Sequence, residues 1–174
     1  MQYINNCITK EQVLFFRNIQ SKIEEPLYFY GSCQRVDYFK GKSDIDVCIF
    51  SDNIPSSKIK LSNILNVPTN NFKKFVKLNQ KQEVIITGYK MMYSHDNKIG
   101  PVEISIYNSR DKEDVLDFIN SKLILPWYAI YLLYIIKLMH YYTPFLSKKI
   151  YSKMKNIILT TLIGSPQTYF TTLD

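Results

Sequence analysis

The chain has 174 residues, of which 46% are hydrophobic and 21% charged. That suits one globular domain with at most a small appendage and excludes a disordered polymer. A net charge of +7 and a pI near 9.2 point to a polyanionic partner such as nucleic acid or a nucleotide, and the three dispersed cysteines Cys7, Cys33 and Cys48 exclude a zinc spacing or a disulfide framework.

Thr9, with Gln12 three residues later, predicts a helix start, and Val13, Leu14, Phe15, Phe16 and Ile19 supply its apolar stripe. Pro26 ends this helix near Glu25. A short β-rich run over residues 27–30 is broken by Gly31-Ser32, and a short helix is expected from Cys33 to Phe39, with Gly41 ending it. Residues 44–50 read as a strand closed by Ser51-Asp52-Asn53 and Pro55, and residues 56–65 as a helix. Three strands follow over 72–78, 83–93 and 99–107, with His95 to Lys98 as the turn between the last two. Asp111, Glu113 and Asp114 then open a helix with acids at its positive end.

The stretch 123–139 is the one segment that invites comparison with a membrane span. Pro126 interrupts it, Lys137 ends its cleanest part, and it is shorter than the usual ~20 residues, so a buried helix and no membrane are expected. That helix runs from Pro126 to Tyr142, stopped by Pro144, with Tyr128, Tyr131, Leu132 and Ile135 as its packing stripe. A second helix spans 147–163 before Gly164, and the polar last ten residues read as loose. The fold class is therefore α/β (α+β). Residues 1–121 form a mixed sheet flanked by helices, and residues 122–174 add a C-terminal helical pair. Cysteine usage and the lack of a basic-then-apolar start fit an intracellular, cytoplasmic setting.

The chemistry concentrates in "YGSCQRVDYFKGKSDIDVCIF", residues 30–50. On a strand Asp44 and Asp46 share one face, with Cα atoms roughly 6.5–7 Å apart, while Ile45, Val47 and Ile49 point into the core. Two carboxylates side by side stay ionised only with a cation between them, and divalent magnesium, a hard ion that shares its ligands with phosphates, is the natural one. Gly31 lets the backbone approach a ligand, Ser32 adds a hydroxyl, and a helix starting at Cys33 would turn its N–H groups toward a phosphate chain. Glu103, an acid in an apolar strand whose Val102, Ile104 and Ile106 face the other way, is the candidate third carboxylate. Lys42 is a candidate triphosphate contact. Lys73, Lys74, Lys77 and Lys81, like Lys148, Lys149, Lys153 and Lys155, read first as solvated faces.

Gly-Ser, eleven intervening residues, Asp44-Ile45-Asp46, and a later apolar-flanked Glu103 resemble the DNA-polymerase-β-like nucleotidyltransferase superfamily. That group includes poly(A) polymerases, CCA-adding enzymes and small antitoxin-type nucleotidyltransferases. The likeness covers residues 27–107 plus the helical tail. It implies a catalytic domain over 1–121 and a magnesium-dependent transfer of a nucleoside monophosphate from a nucleoside triphosphate, ATP first among them, to a hydroxyl. The implied acceptor is a nucleic-acid 3′-end. The alternatives are a protein, as in antitoxin-type members, or a non-catalytic module that binds nucleic acid or a partner. It further implies that Asp44, Asp46 and Glu103 ligate two magnesium ions, with manganese able to substitute. Gly31 and Ser32 would hold the phosphates. Small members often place a basic residue after Gly-Ser; here Cys33 stands there and Arg35 follows two positions on.

Overall fold

The computed structural model describes residues 8–79, 84–94, 98–121, 123–143, 146–162 and 170–173. Helix α1 (Lys10–Ile23) starts with the expected capping box: the Thr9 hydroxyl accepts from the Gln12 N–H, and the Gln12 side chain accepts from the Thr9 N–H. Gln12 is buried, and its amide also donates to the Ile99 carbonyl at 2.7 Å. One side chain thus caps a helix and ties it to the approach of a distant strand.

Among the described residues the sheet has six strands: β1 (Tyr28–Tyr30), β2 (Ile45–Ser51), β3 (Lys73–Asn79), β4 (Val84–Tyr93), β5 (Val102–Asn108) and β6 (Phe170–Leu173). Their order is β1-β2-β5-β4-β3-β6. Only β2 and β5 run parallel; the other pairs are antiparallel. The fold is thus a mixed-sheet α/β architecture, as the alternation of elements predicts.

Inward-facing Ile45, Val47, Ile49, Val102, Ile104 and Ile106 pack one sheet face against Phe16, Ile19 and Ile23 of α1 and Leu61 and Leu65 of α2 (Ile54–Leu65). The other face carries Cys48, Phe50, Phe75 and Tyr107, covered by Val115, Phe118 and Ile119 of α3 (Lys112–Ser121). Side chains of Asp46, Glu103 and Ser105 belong to this second face by strand alternation. Helix α4 (Trp127–Tyr142) packs on α5 (Lys148–Ile157) through Ala129, Leu133, Ile136 and Ile158. A π-helical turn over Ile158–Leu162 extends α5. Among the described residues, no helix is long and apolar enough to cross a membrane.

Several expectations are corrected. No α-helix follows Cys33: residues Gly31–Gln34 form a single 3₁₀ turn, and Arg35 is already extended. Gly31 takes φ of 72°, a left-handed conformation that starts a tight turn and not a helix. Pro55 does not close a strand but sits in the first turn of α2, capped by Asn53. The tail is not loose throughout, since β6 pairs antiparallel with β3. The stripe Tyr128, Tyr131, Leu132 is not packing: these side chains are exposed, and the buried line is Ala129, Leu133, Ile136 and Lys137. The expected turn at His95, the stops at Pro144 and Gly164, and Cys7 lie outside the described residues.

Candidate functional site

Parallel pairing of β2 with β5 sets Asp46 directly beside Glu103, and antiparallel pairing with β1 sets Tyr30 on its other side. Neighbours in register on adjacent strands lie about 4.8 Å apart with side chains on the same face. The backbone bond from Ile45 N–H to the Pro101 carbonyl, 2.9 Å, aligns the two strands at this end. Two acids far apart in sequence thus become neighbours through strand register.

They line a cavity of about 180 Å3 together with Gly31, Ser32, Arg35, Lys90, Ser105, Tyr107 and Lys155. Gly31 touches the acid most closely: a Cβ there would lie 2.1 Å from Asp46 Oδ2. Any side chain there would displace the carboxylate and strain the positive φ, so glycine suits the position on both counts. The Tyr30 and Ser105 hydroxyls lie 3.4 Å apart at the cavity wall. Lys90 Nζ stands 3.8 Å from Glu103 Oε2.

Burial, and next the charge of Glu103, push the Asp46 carboxyl up to about 7, with Lys155 acting in the opposite direction and Asp44 adding to the rise. Asp46 is thus short of positive charge at neutral pH. Asp44 is exposed just before β2 and does not line the cavity, although its charge reaches Asp46. Lys42 is turned elsewhere: its ammonium donates to the Tyr141 carbonyl at 3.1 Å and lies 4.0 Å from the Tyr142 ring centre.

The residue after Gly-Ser points inward. Cys33 is fully buried, its thiol 2.9 Å from the Tyr30 carbonyl, and burial followed by the Asp46 charge pushes it up to about 12. A cation at that position would face the core. The cavity receives Arg35 instead, held by a buried cluster that the sequence does not announce. Arg35 Nε and Nη2 donate to the two oxygens of Asp37 at 2.7 and 3.0 Å. Lys137 of α4 donates to Asp37 Oδ2 at 2.9 Å and to the Asp37 carbonyl at 2.8 Å. Asp37 is completely buried and Lys137 nearly so. Burial would raise the Asp37 carboxyl, but hydrogen bonding and charge from Arg35 and Lys137 more than compensate, so it titrates below its ordinary range.

Of the sequence candidates, the structure brings together Gly31, Ser32, Asp46 and Glu103; Asp44, exposed just before β2, and Lys42 are not part of the cavity lining. Lys155, read as part of a solvated run, is half-buried and lines the cavity, whereas Lys148, Lys149 and Lys153 are exposed. Lys90 carries no sequence signal beyond lying in a predicted strand; its register partner is Ser105, two residues from Glu103. His140 is a packing residue, stacked on Tyr151 with ring centroids 4.5 Å apart and bonded to the Leu146 carbonyl.

Among the described residues, no group of three or more His, Cys, Asp or Glu side chains is drawn together as a metal centre. The donors at the cavity are nonetheless of the right kind for magnesium: two adjacent carboxylate side chains, one of them desolvated and short of countercharge, beside a backbone that leaves no competing side chain.

No protein-family model matches the chain. No curated protein matches it at a significant level. Among solved structures, a chain of the GLD-2/RNP-8 complex is similar at 16% identity and a TM-score of 0.40, over 91% of this chain and 62% of that one.

Proposed function

We propose that this chain is a nucleotidyltransferase that moves a nucleoside monophosphate from a nucleoside triphosphate, ATP first among them, to a hydroxyl acceptor. The acceptor we propose is a nucleic-acid 3′-end, in keeping with the net charge of +7. One observation carries this reading: Asp46 and Glu103 stand in register on adjacent parallel strands, with Gly31 against the Asp46 carboxylate.

In the proposed reaction the acceptor oxygen bonds to the α-phosphorus, the α–β phosphoanhydride bond breaks, and pyrophosphate leaves. Asp46 and Glu103, joined by Asp44 two residues before Asp46, would hold magnesium, which supplies charge neutralisation for the phosphates and acidifies the attacking hydroxyl. Glu103 would accept the proton of that hydroxyl. Ser32 and the Gly31 backbone would orient the phosphate chain. Arg35 and Lys155 would balance the charge of the leaving pyrophosphate. A closed wall of Tyr30, Phe75, Tyr107 and Phe118 keeps the local dielectric low, so those charges act strongly.

The test is incorporation of labelled nucleotide from each triphosphate, with magnesium or manganese, into RNA, DNA and protein acceptors. Asp46→Asn and Glu103→Gln should abolish it; full activity of either variant sinks the proposal. Labelling confined to protein would assign the alternative acceptor. A second reading, a non-catalytic nucleotide- or nucleic-acid-binding module, draws support from the Lys90–Glu103 ion pair, which gives that carboxylate a cation of the protein's own. Calorimetry separates the two: the transferase binds a non-hydrolysable triphosphate more tightly with magnesium, the module indifferently.

A further inference from the structure

Helix α4 is apolar on every side, yet among the described residues one side is left largely open, with Phe39 against Tyr134 partway along it. Trp127, Tyr131, Tyr134 and Leu138 are 80%, 61%, 42% and 43% exposed. Their spacing of four, three and four residues places them on one line along the helix, the a/d spacing by which helices pair. Ile124, just before the helix, is 87% exposed and extends the patch. Beside the line, Val36 joins Trp127, Ile130, Tyr131 and Tyr134 around an almost wholly apolar groove of about 320 Å3.

The geometry points to a second copy of this chain as the occupant, paired through α4 in an isologous dimer. Two observations select it. The first is size. At the roughly 150–250 Å2 that a large aromatic carries, the exposed parts of these residues and of Val36 amount to about 700 Å2, close to one side of a standard interface. A patch of that extent is larger than monomers usually leave open. The second is charge. Each copy carries +7, so most pairings oppose like charges. Helix α4 has one lysine, Lys137, and it is buried against Asp37; its lone histidine is half-buried against Tyr151. Lys42, over the Tyr142 ring, marks the charged end of the patch. The seam from Trp127 to Leu138 is thus a surface on which two basic molecules meet without repulsion. A two-fold pairing sets Trp127 and Tyr131 against the groove of the other copy, a ridge and a hollow on the same patch.

Trp127 is the sole tryptophan of the chain, so its fluorescence reads the interface directly. Sedimentation velocity of the full chain should give twice the 20.6 kDa monomer mass at tens of micromolar, with Trp127 emission moving to shorter wavelength as the protein is concentrated. Trp127→Ala and Tyr131→Glu should each raise the dimer dissociation constant by roughly a hundredfold. Tyr131→Glu keeps the tryptophan, and its emission should stay red at all concentrations. Both positions are exposed, so circular dichroism should be unchanged. A monomer mass at all concentrations with invariant emission overturns the proposal, and is also the result expected if a different protein or a lipid surface covers the patch. A dimer that neither substitution weakens overturns it equally.

Discussion

Asp37 and Asp46 lie nine residues apart, the first completely buried and the second half-buried at a cavity wall, and their charges are handled in opposite ways. Asp37 has Arg35 and Lys137 on its two oxygens and its carboxyl is held below the ordinary range. Asp46 has Glu103 as its register partner and the Gly31 backbone against Oδ2, and its carboxyl is raised to about 7. A fully compensated buried acid fastens structure. An under-compensated one at a cavity wall has bonding capacity left for something that arrives. The contrast marks Asp37 as a fastening aspartate and Asp46 as the candidate for function.

The contrast breaks most visibly at Asp46. Asp46→Asn should lower nucleotidyl transfer by at least roughly 10³-fold, about 4 kcal/mol of transition-state stabilisation, with the fold intact; labelled-nucleotide assays and circular dichroism check the two halves. Asp37→Asn should do the reverse. It leaves Lys137 and Arg35 without their anion and should cost about 3–5 kcal/mol of stability in urea denaturation. The Asp37 contribution is present above its unfolded value of 3.8 and is lost as pH falls through its lower folded value, so the parent should lose this support only in acid below that point.

The sign is opposite at Asp46. Its folded value of about 7 exceeds the unfolded 3.8, so ionisation costs stability as pH rises between them, and the full cost is present above 7. Asp46→Asn should therefore melt a few degrees higher than the parent in mildly alkaline buffer, with the gap closing toward an acidity near 3.8. Scanning calorimetry across that range would refute the reading if the gap were constant. The smallest effects sharpen the edge of the cavity: Lys155→Ala should weaken triphosphate binding by about tenfold, about 1.4 kcal/mol, whereas Lys153→Ala, exposed on the same helix, should leave it unchanged by calorimetry.

Local signals carried the sequence reading where their cause is local. Thr9 and Gln12 form the capping box they spell, and the alternation around Asp46 and Glu103 places both on one sheet face. What escaped depends on partners far along the chain. Lys137 reads as the end of an apolar run because Asp37, its reason for being buried, is 100 residues away. The polar tail gives little strand signal, and β6 forms only because β3 offers an edge. Helix α4 is apolar all round, so periodicity could not choose its buried side, and the stripe of Tyr128, Tyr131 and Leu132 turned out to face water. The close approach of Asp46 to Gly31 is a contact across the sheet that no neighbouring residue encodes.

Val36 stands between Arg35, which lines the inner chamber, and Asp37, which is bolted to α4, while its own side chain lies outdoors, 75% exposed on the aromatic hollow. A single peptide step therefore joins the outer wall of the molecule to its interior. A second copy seated on that valine would therefore press on the same short segment that carries the guanidinium inside.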